Sequence, residues 1–156
     1  MPGRPGAREV LLFGGDPTGA GTALTRLGYR PPPGTSPVDA AQLPDGRLLV
    51  LNRSFGLPWG FGAVLAIVDL KNVRAGAVLT ARPIARFARP VQHENFEGLA
   101  VTREGGATII WIVSDDNLSR WQRTLLLKFR LEDASTDGPP AGLEGGPPAK
   151  PGRGAR

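Results

Sequence analysis

Two stretches of this chain follow one grammar, and that repeat limits the fold more than any other feature. VDAAQLPDGRLLVLNRS and FEGLAVTREGGATIIWIVSDDN each place an acidic residue at the start of a strand and continue through small and apolar residues. Each then turns at glycine and returns in a long apolar strand with a polar end. Asp39 and Glu97 stand at the matching starts. The unit suits an elaborated four-stranded propeller blade. The expected fold class is all-β, a partial beta-propeller-like arrangement of antiparallel sheets with about two blade-like units, too few to close a ring. The plainer alternative is an ordinary antiparallel sheet or sandwich whose strands resemble one another.

The strands can be placed from their patterning. Val38–Leu43 and Arg47–Arg53 flank Pro44-Asp45-Gly46, a strong reversal signal, and form the clearest hairpin. Ala63–Leu70 follows a Gly-rich loop. Ala77–Phe87 is interrupted by Pro83 and suits an outer or edge strand, because proline cannot donate to a ladder. Phe96–Thr102 and Ala107–Ser114 form the second hairpin. In Thr124–Leu131, Leu125, Leu127, Phe129 and Leu131 point one way and Lys128 and Arg130 the other, the period of two of a half-solvated strand.

These elements divide the chain into three zones. Residues 1–37 are a Gly/Pro-rich lead with short strands at Val10–Phe13 and Ala23–Tyr29, and residues 38–132 carry nearly all the periodic apolar signal. Residues 133–156 contain Leu143 as their one large apolar side chain and are expected to be a disordered tail, since they bury too little to offset ordering entropy. Gly (22) and Pro (16) together reach about twice their usual share, which argues against a helical bundle.

Composition excludes several kinds of chemistry. No cysteine means no thiol nucleophile, disulfide or thiolate metal site, and a single histidine, His93, excludes a multi-histidine metal centre. A Ser–His–acid triad can rest only on that ring. The net charge of +5 is dispersed as single arginines rather than gathered into a basic arm. It permits steering of anionic ligands and does not point to nucleic acid. No apolar run is long enough for a secretory h-region or a membrane span. As written, the chain is expected to be soluble and cytoplasmic, or periplasmic or secreted if its N-terminus is truncated.

Acidic residues at strand ends are the chief functional signal. If Asp39 and Glu97 face one mouth, the returning strands bring Arg53 and Asp115, Asp116 and Asn117 toward it. Carboxylates gathered there can ligate Ca²⁺ or activate water, and arginines can clamp a phosphate or carboxylate. The candidate catalytic residues are Glu97, Asp115 and Asp116. Arg53, Arg123 and Asn117 are the candidate substrate-binding residues, and Asp39, Glu97 and Asp115 the candidate metal ligands. Plainer roles compete: Asp115-Asp116-Asn117 as a turn that caps backbone donors, Asp39 and Glu97 as strand-end or salt-bridge acids, and Arg53 and Arg123 as structural partners of Glu97, Asp115 or Asp116. His93, followed by Glu94 and Asn95, is a candidate general base with a nearby carboxylate, or else a solvent-facing or hydrogen-bonded loop histidine. Trp59, in LPWGFG, is the tryptophan best placed for ligand contact.

At the repeated motifs the chain resembles the phytase-like family, the esterase-like activity of phytase proteins. The segments are LGYRPPPGTSPVDAAQLPDGRLLVLNRSF, GAVLAIVDLKNVRAGAVLTARPIARFARP, HENFEGLAVTREGGATIIWIVSDDN and QRTLLLKFRLE, which cover most of residues 27–132. Asp39, Arg53, Asn95, Glu97, Asp115, Asp116, Asn117 and Arg123 occupy its characteristic motifs. The resemblance implies a longer beta-propeller-like domain, of which this chain matches the C-terminal portion. It also implies hydrolysis of phosphate or other anionic esters, for which Ca²⁺ is the expected cofactor. The competing function is a noncatalytic propeller-like fragment that binds an anionic ligand or a protein. Open strand edges predict a missing domain segment or self-association.

Overall fold

The structure, a computed structural model, describes residues 6–56, 60–88 and 94–132. Among them there is no helix, and hence none long and apolar enough to cross a membrane. Ten strands run in chain order: β1 (Arg8–Phe13), β2 (Leu24–Arg30), β3 (Ser36–Gln42), β4 (Leu48–Gly56), β5 (Gly60–Val68), β6 (Val78–Thr80), β7 (Arg82–Phe87), β8 (Phe96–Glu104), β9 (Ala107–Ser114) and β10 (Leu126–Leu131). They form three sheets, ordered β1-β2-β6, β3-β4-β5-β7 and β10-β9-β8, none of them closed into a barrel. All pairings are antiparallel except β2 with β6.

The expected hairpins form where turn chemistry places them. Between β3 and β4, Gly46 takes a φ of 86° that a side chain would resist, and Leu43 N–H bonds to the carbonyl of Arg47 at 2.8 Å. Between β8 and β9, Gly105 and Gly106 both have positive φ, and Glu104 pairs with Ala107 across them.

The near-continuous apolar runs of β4 and β5 follow from burial on both faces. Leu49 and Leu51 of β4, with Leu65 and Ile67 of β5, pack against Phe96, Ile110 and Ile112 of the β8–β10 sheet. Val50 and Val68 face the opposite way, onto Leu27, Tyr29 and Leu79 of the β1-β2-β6 sheet. The four-stranded sheet is therefore the middle layer, and β2 shares a core with β4 and β5. Phe87 joins the middle layer to the third sheet, with ring centroids 5.5 Å from Phe96 and 5.4 Å from Phe129. By contrast β10 alternates half-buried Leu127, Phe129 and Leu131 with exposed Lys128 and Arg130, as its pattern predicts.

One expected strand is two. Ala77–Phe87 breaks at Ala81: β6 pairs in parallel with β2, while β7 pairs with β5 at the edge of the middle sheet. Pro83 lies on that edge strand, beside a register shift opposite Leu65 and Ala66. The missing N–H thus falls where the ladder is already irregular.

Candidate functional site

The two matching hairpins carry the same irregularity. In β3 the register with β4 shifts between Pro37 and Asp39, and in β8 the register with β9 shifts between Phe96 and Gly98. Val38 and Glu97 are the extra residues. By this measure Glu97 corresponds to Val38, and Asp39 to Gly98, so Asp39 and Glu97 are one position out of step. A bulge interrupts the regular alternation of side chains along a strand, so residues one position apart across it meet different neighbours.

The two acids accordingly do different things. Asp39 Oδ1 accepts from its neighbour Ala40 N–H at 2.8 Å, and Oδ2 accepts from Leu99 N–H in β8 at 2.6 Å. Its carboxylate bridges the first strands of the two hairpins. Glu97 instead turns to Arg53 at the end of β4: Arg53 Nη1 donates to Glu97 Oε1 at 2.8 Å, and Asn95 Nδ2 donates to the same oxygen at 2.6 Å. Arg53 Nη1 also donates to Asn95 Oδ1. Asn95 is buried and satisfied on both sides of its amide, whereas the Arg53 and Glu97 side chains keep 34% and 44% exposure and stay open to solvent.

The segment before β8 also anchors the loop between β9 and β10. Asp115 N–H donates to the carbonyl of Asn95 at 3.0 Å, and Arg123 Nε donates to buried Glu94 at 3.1 Å. Ser114 Oγ fastens the far end, donating to the carbonyl of Arg123 at 2.7 Å while accepting from Leu125 N–H at 3.0 Å. Within the loop, Asp115 and Asp116 accept from the N–H groups of Asn117 and Leu118, at 3.1 and 2.8 Å. The side chain of Asn117 donates to Gln122 at 3.0 Å. These are the Asx contacts of a capped turn.

The structure thus brings Arg53, Asn95 and Glu97 into one cluster, with Asp115 joined to it through the backbone. Arg123 pairs with Glu94 rather than with Glu97, Asp115 or Asp116. Glu94 is the member that sequence reasoning missed as a partner; its one signal was an acid in a segment, HEN, that leads into a core strand. His93, Trp59 and residues 133–156 lie outside the described residues.

Among the described residues no group of three or more His, Asp or Glu side chains converges on a point where a metal ion could be held. Both oxygens of Asp39 are occupied by backbone donors, and one oxygen of Glu97 lies against a guanidinium. Asp39, Glu97 and Asp115 in this arrangement do not fit a shared Ca²⁺ site.

The fold and this cluster define an all-β protein with an arginine–carboxylate pair presented where two hairpins meet. The phytase-like family model, described as esterase-like activity of phytase, matches residues 2–118, most of the chain, and the chain belongs to that family. The match takes in Arg53, Asn95, Glu97, Asp115, Asp116 and Asn117 and ends before Arg123. No curated protein and no solved structure matches it.

Proposed function

We propose that the chain is a hydrolase domain for anionic esters and that Arg53 and Glu97 form its working pair. Family membership supports ester hydrolysis as the reaction class. The observation that carries the site is the partly exposed Arg53–Glu97 contact, held from behind by the buried amide of Asn95. The described bonds of Arg53 both use Nη1, and a guanidinium has five N–H donors in a fixed fork. The remaining donors are those a phosphate or carboxylate oxygen would take, bidentately and with charge assistance.

Glu97 then serves as general base. It takes a proton from a water whose oxygen attacks the phosphorus or carbonyl carbon. The bond to the ester oxygen breaks, and that oxygen leaves as an alcohol on taking up the proton that Glu97 removed from the water, which restores the carboxylate. Arg53 offsets the charge gathering on the acyl or phosphoryl oxygens. Asn95 positions both side chains and touches no substrate. No step runs through a cation. The face-to-face stacking of the three sheets supports a beta-propeller-like architecture, in which this pair would sit at one mouth between adjacent blades.

A second reading is a noncatalytic module that binds an anionic ligand or a protein. It is favoured by the contacts of Asp39, Asp115 and Asp116, whose carboxylates cap backbone donors. A panel of phosphate monoesters and carboxyl esters, assayed for released phosphate and alcohol, separates the two. Turnover of an anionic ester that is lost in Glu97→Gln supports the hydrolase; ligand binding with no turnover across the panel supports the module.

A further inference from the structure

The loop between β9 and β10 displays two large apolar side chains with nothing packed on them. Leu118 is 100% exposed and Trp121 94% exposed. Exposure on a floppy loop would mean little, but this loop is built. Asp115 and Asp116 cap its turn, Ser119 N–H bonds to the carbonyl of Asp116 at 2.8 Å, and Trp121 N–H donates to Ser119 Oγ at 3.3 Å. Asn117 and Leu118 are both held at left-handed φ, 49° and 57°. Asparagine tolerates that region, whereas leucine is strained there. A fold that strains a leucine and leaves it in water gains nothing from it in stability.

One foot of the loop is tied to Asn95, whose side chain holds Arg53 and Glu97, and the other to Glu94, the residue before it. Asp115 N–H rests on the Asn95 carbonyl, and Arg123 is held by Glu94. Trp121 lies two residues from Arg123, at most about 7 Å of extended chain. The loop that displays both apolar side chains is thereby anchored on the two residues before β8, one of which, Asn95, also holds Arg53.

We propose that Trp121 and Leu118 form an apolar rest that selects anionic esters carrying an aryl or alkyl group over compact, wholly polar ones. This rests on the anion-binding role of Arg53 and names the substrate class that role would serve. Tryptophan suits the task because its ring gives a large flat contact at little entropic cost.

Phenylphosphonate and methylphosphonate share a headgroup, resist hydrolysis and differ in the apolar group, so calorimetric titration of both reads the preference directly. The intact chain is expected to bind the phenyl ligand about tenfold more tightly, the size of one aromatic contact. Trp121→Ala should bring that ratio close to one. Leu118→Asn, which keeps a residue at ease with left-handed φ, should lower it as well, so loss of loop geometry cannot account for both results. Equal binding of the two ligands by the intact chain, or a preference that survives both substitutions, overturns the inference and leaves the anion site standing. A Trp121-dependent preference that Arg53→Gln does not weaken upholds the apolar rest and removes the anionic role of Arg53. If neither phosphonate binds, both proposals fall.

Discussion

The carboxylate of Asp39 accepts a hydrogen bond from the backbone N–H of Leu99 at 2.6 Å, latching β3 to β8 across sixty residues of chain. Its other oxygen accepts from Ala40 N–H. Asp39→Asn would set an amide N–H₂ against one of these two N–H donors, and Asp39→Ala would leave the Leu99 donor without this acceptor. Each is expected to cost about 1–3 kcal/mol, the range for a charge-assisted bond or an unsatisfied buried donor. Urea unfolding checks it; a midpoint unchanged in both variants would remove the latch.

What the sequence made legible was whatever depends on local chemistry. The turns at Gly46 and at Gly105-Gly106, the alternation of β10 and the edge placement of Pro83 each follow from backbone or period-two rules that act within a few residues. The parallel pairing of β6 with β2 was not legible, because it joins Val78–Thr80 to a strand far back in the chain and depends on which face of the middle sheet is covered. Convergence of Arg53 on Glu97 was foreseen as a possible bridge. The off-step relation of Glu97 to Asp39 was not, since a bulge leaves no mark in the apolar pattern. Arg123 found Glu94 because the segment before β8 runs under the loop, a tertiary fact with no sequence period.

Tyr29 and Asn52 tie the first sheet to the middle one. The buried phenol donates to Asn52 Oδ1 at 2.8 Å, while Asn52 Nδ2 donates to the carbonyls of Val50 and Val64. Tyr29→Phe leaves a buried amide oxygen without this donor, at an expected cost of about 1–3 kcal/mol. Burial pushes the Tyr29 hydroxyl above its ordinary value of 10.0, partly offset by the bond to Asn52. The neutral form is favoured in the fold, so this stability is complete below that value and is lost as pH rises through the higher folded one. Urea midpoints followed into alkali should fall in the native chain, and the fall should be smaller in Tyr29→Phe.

Asp45 in the first hairpin turn behaves in the opposite sense. The side-chain bond from Arg47, Nε to Oδ2 at 2.7 Å, is the main cause that holds its carboxyl below the ordinary value of 3.8. The ionised form is favoured in the fold, so the contribution is present above that value and is lost as pH falls through the lower folded one. The pair is largely open to solvent, which limits it to less than about 1 kcal/mol. An NMR titration of the Asp45 carboxyl should show the low value, and Arg47→Gln should raise it toward 3.8.

The central claim is that Arg53 and Glu97 divide the work of hydrolysing an anionic ester, and steady-state kinetics on an aryl phosphate and an aryl carboxyl ester test it most directly. Glu97→Gln should lower kcat by about a hundredfold or more, the effect of removing a general base. Arg53→Gln should act on both constants, with a larger rise in KM than Glu97→Gln gives, because it removes the contact with the bound anion as well as with the developing charge. Cooperative urea unfolding of both variants confirms that the fold persists. Wild-type turnover unaffected by Glu97→Gln, or no turnover of either ester class by the native chain, contradicts the account.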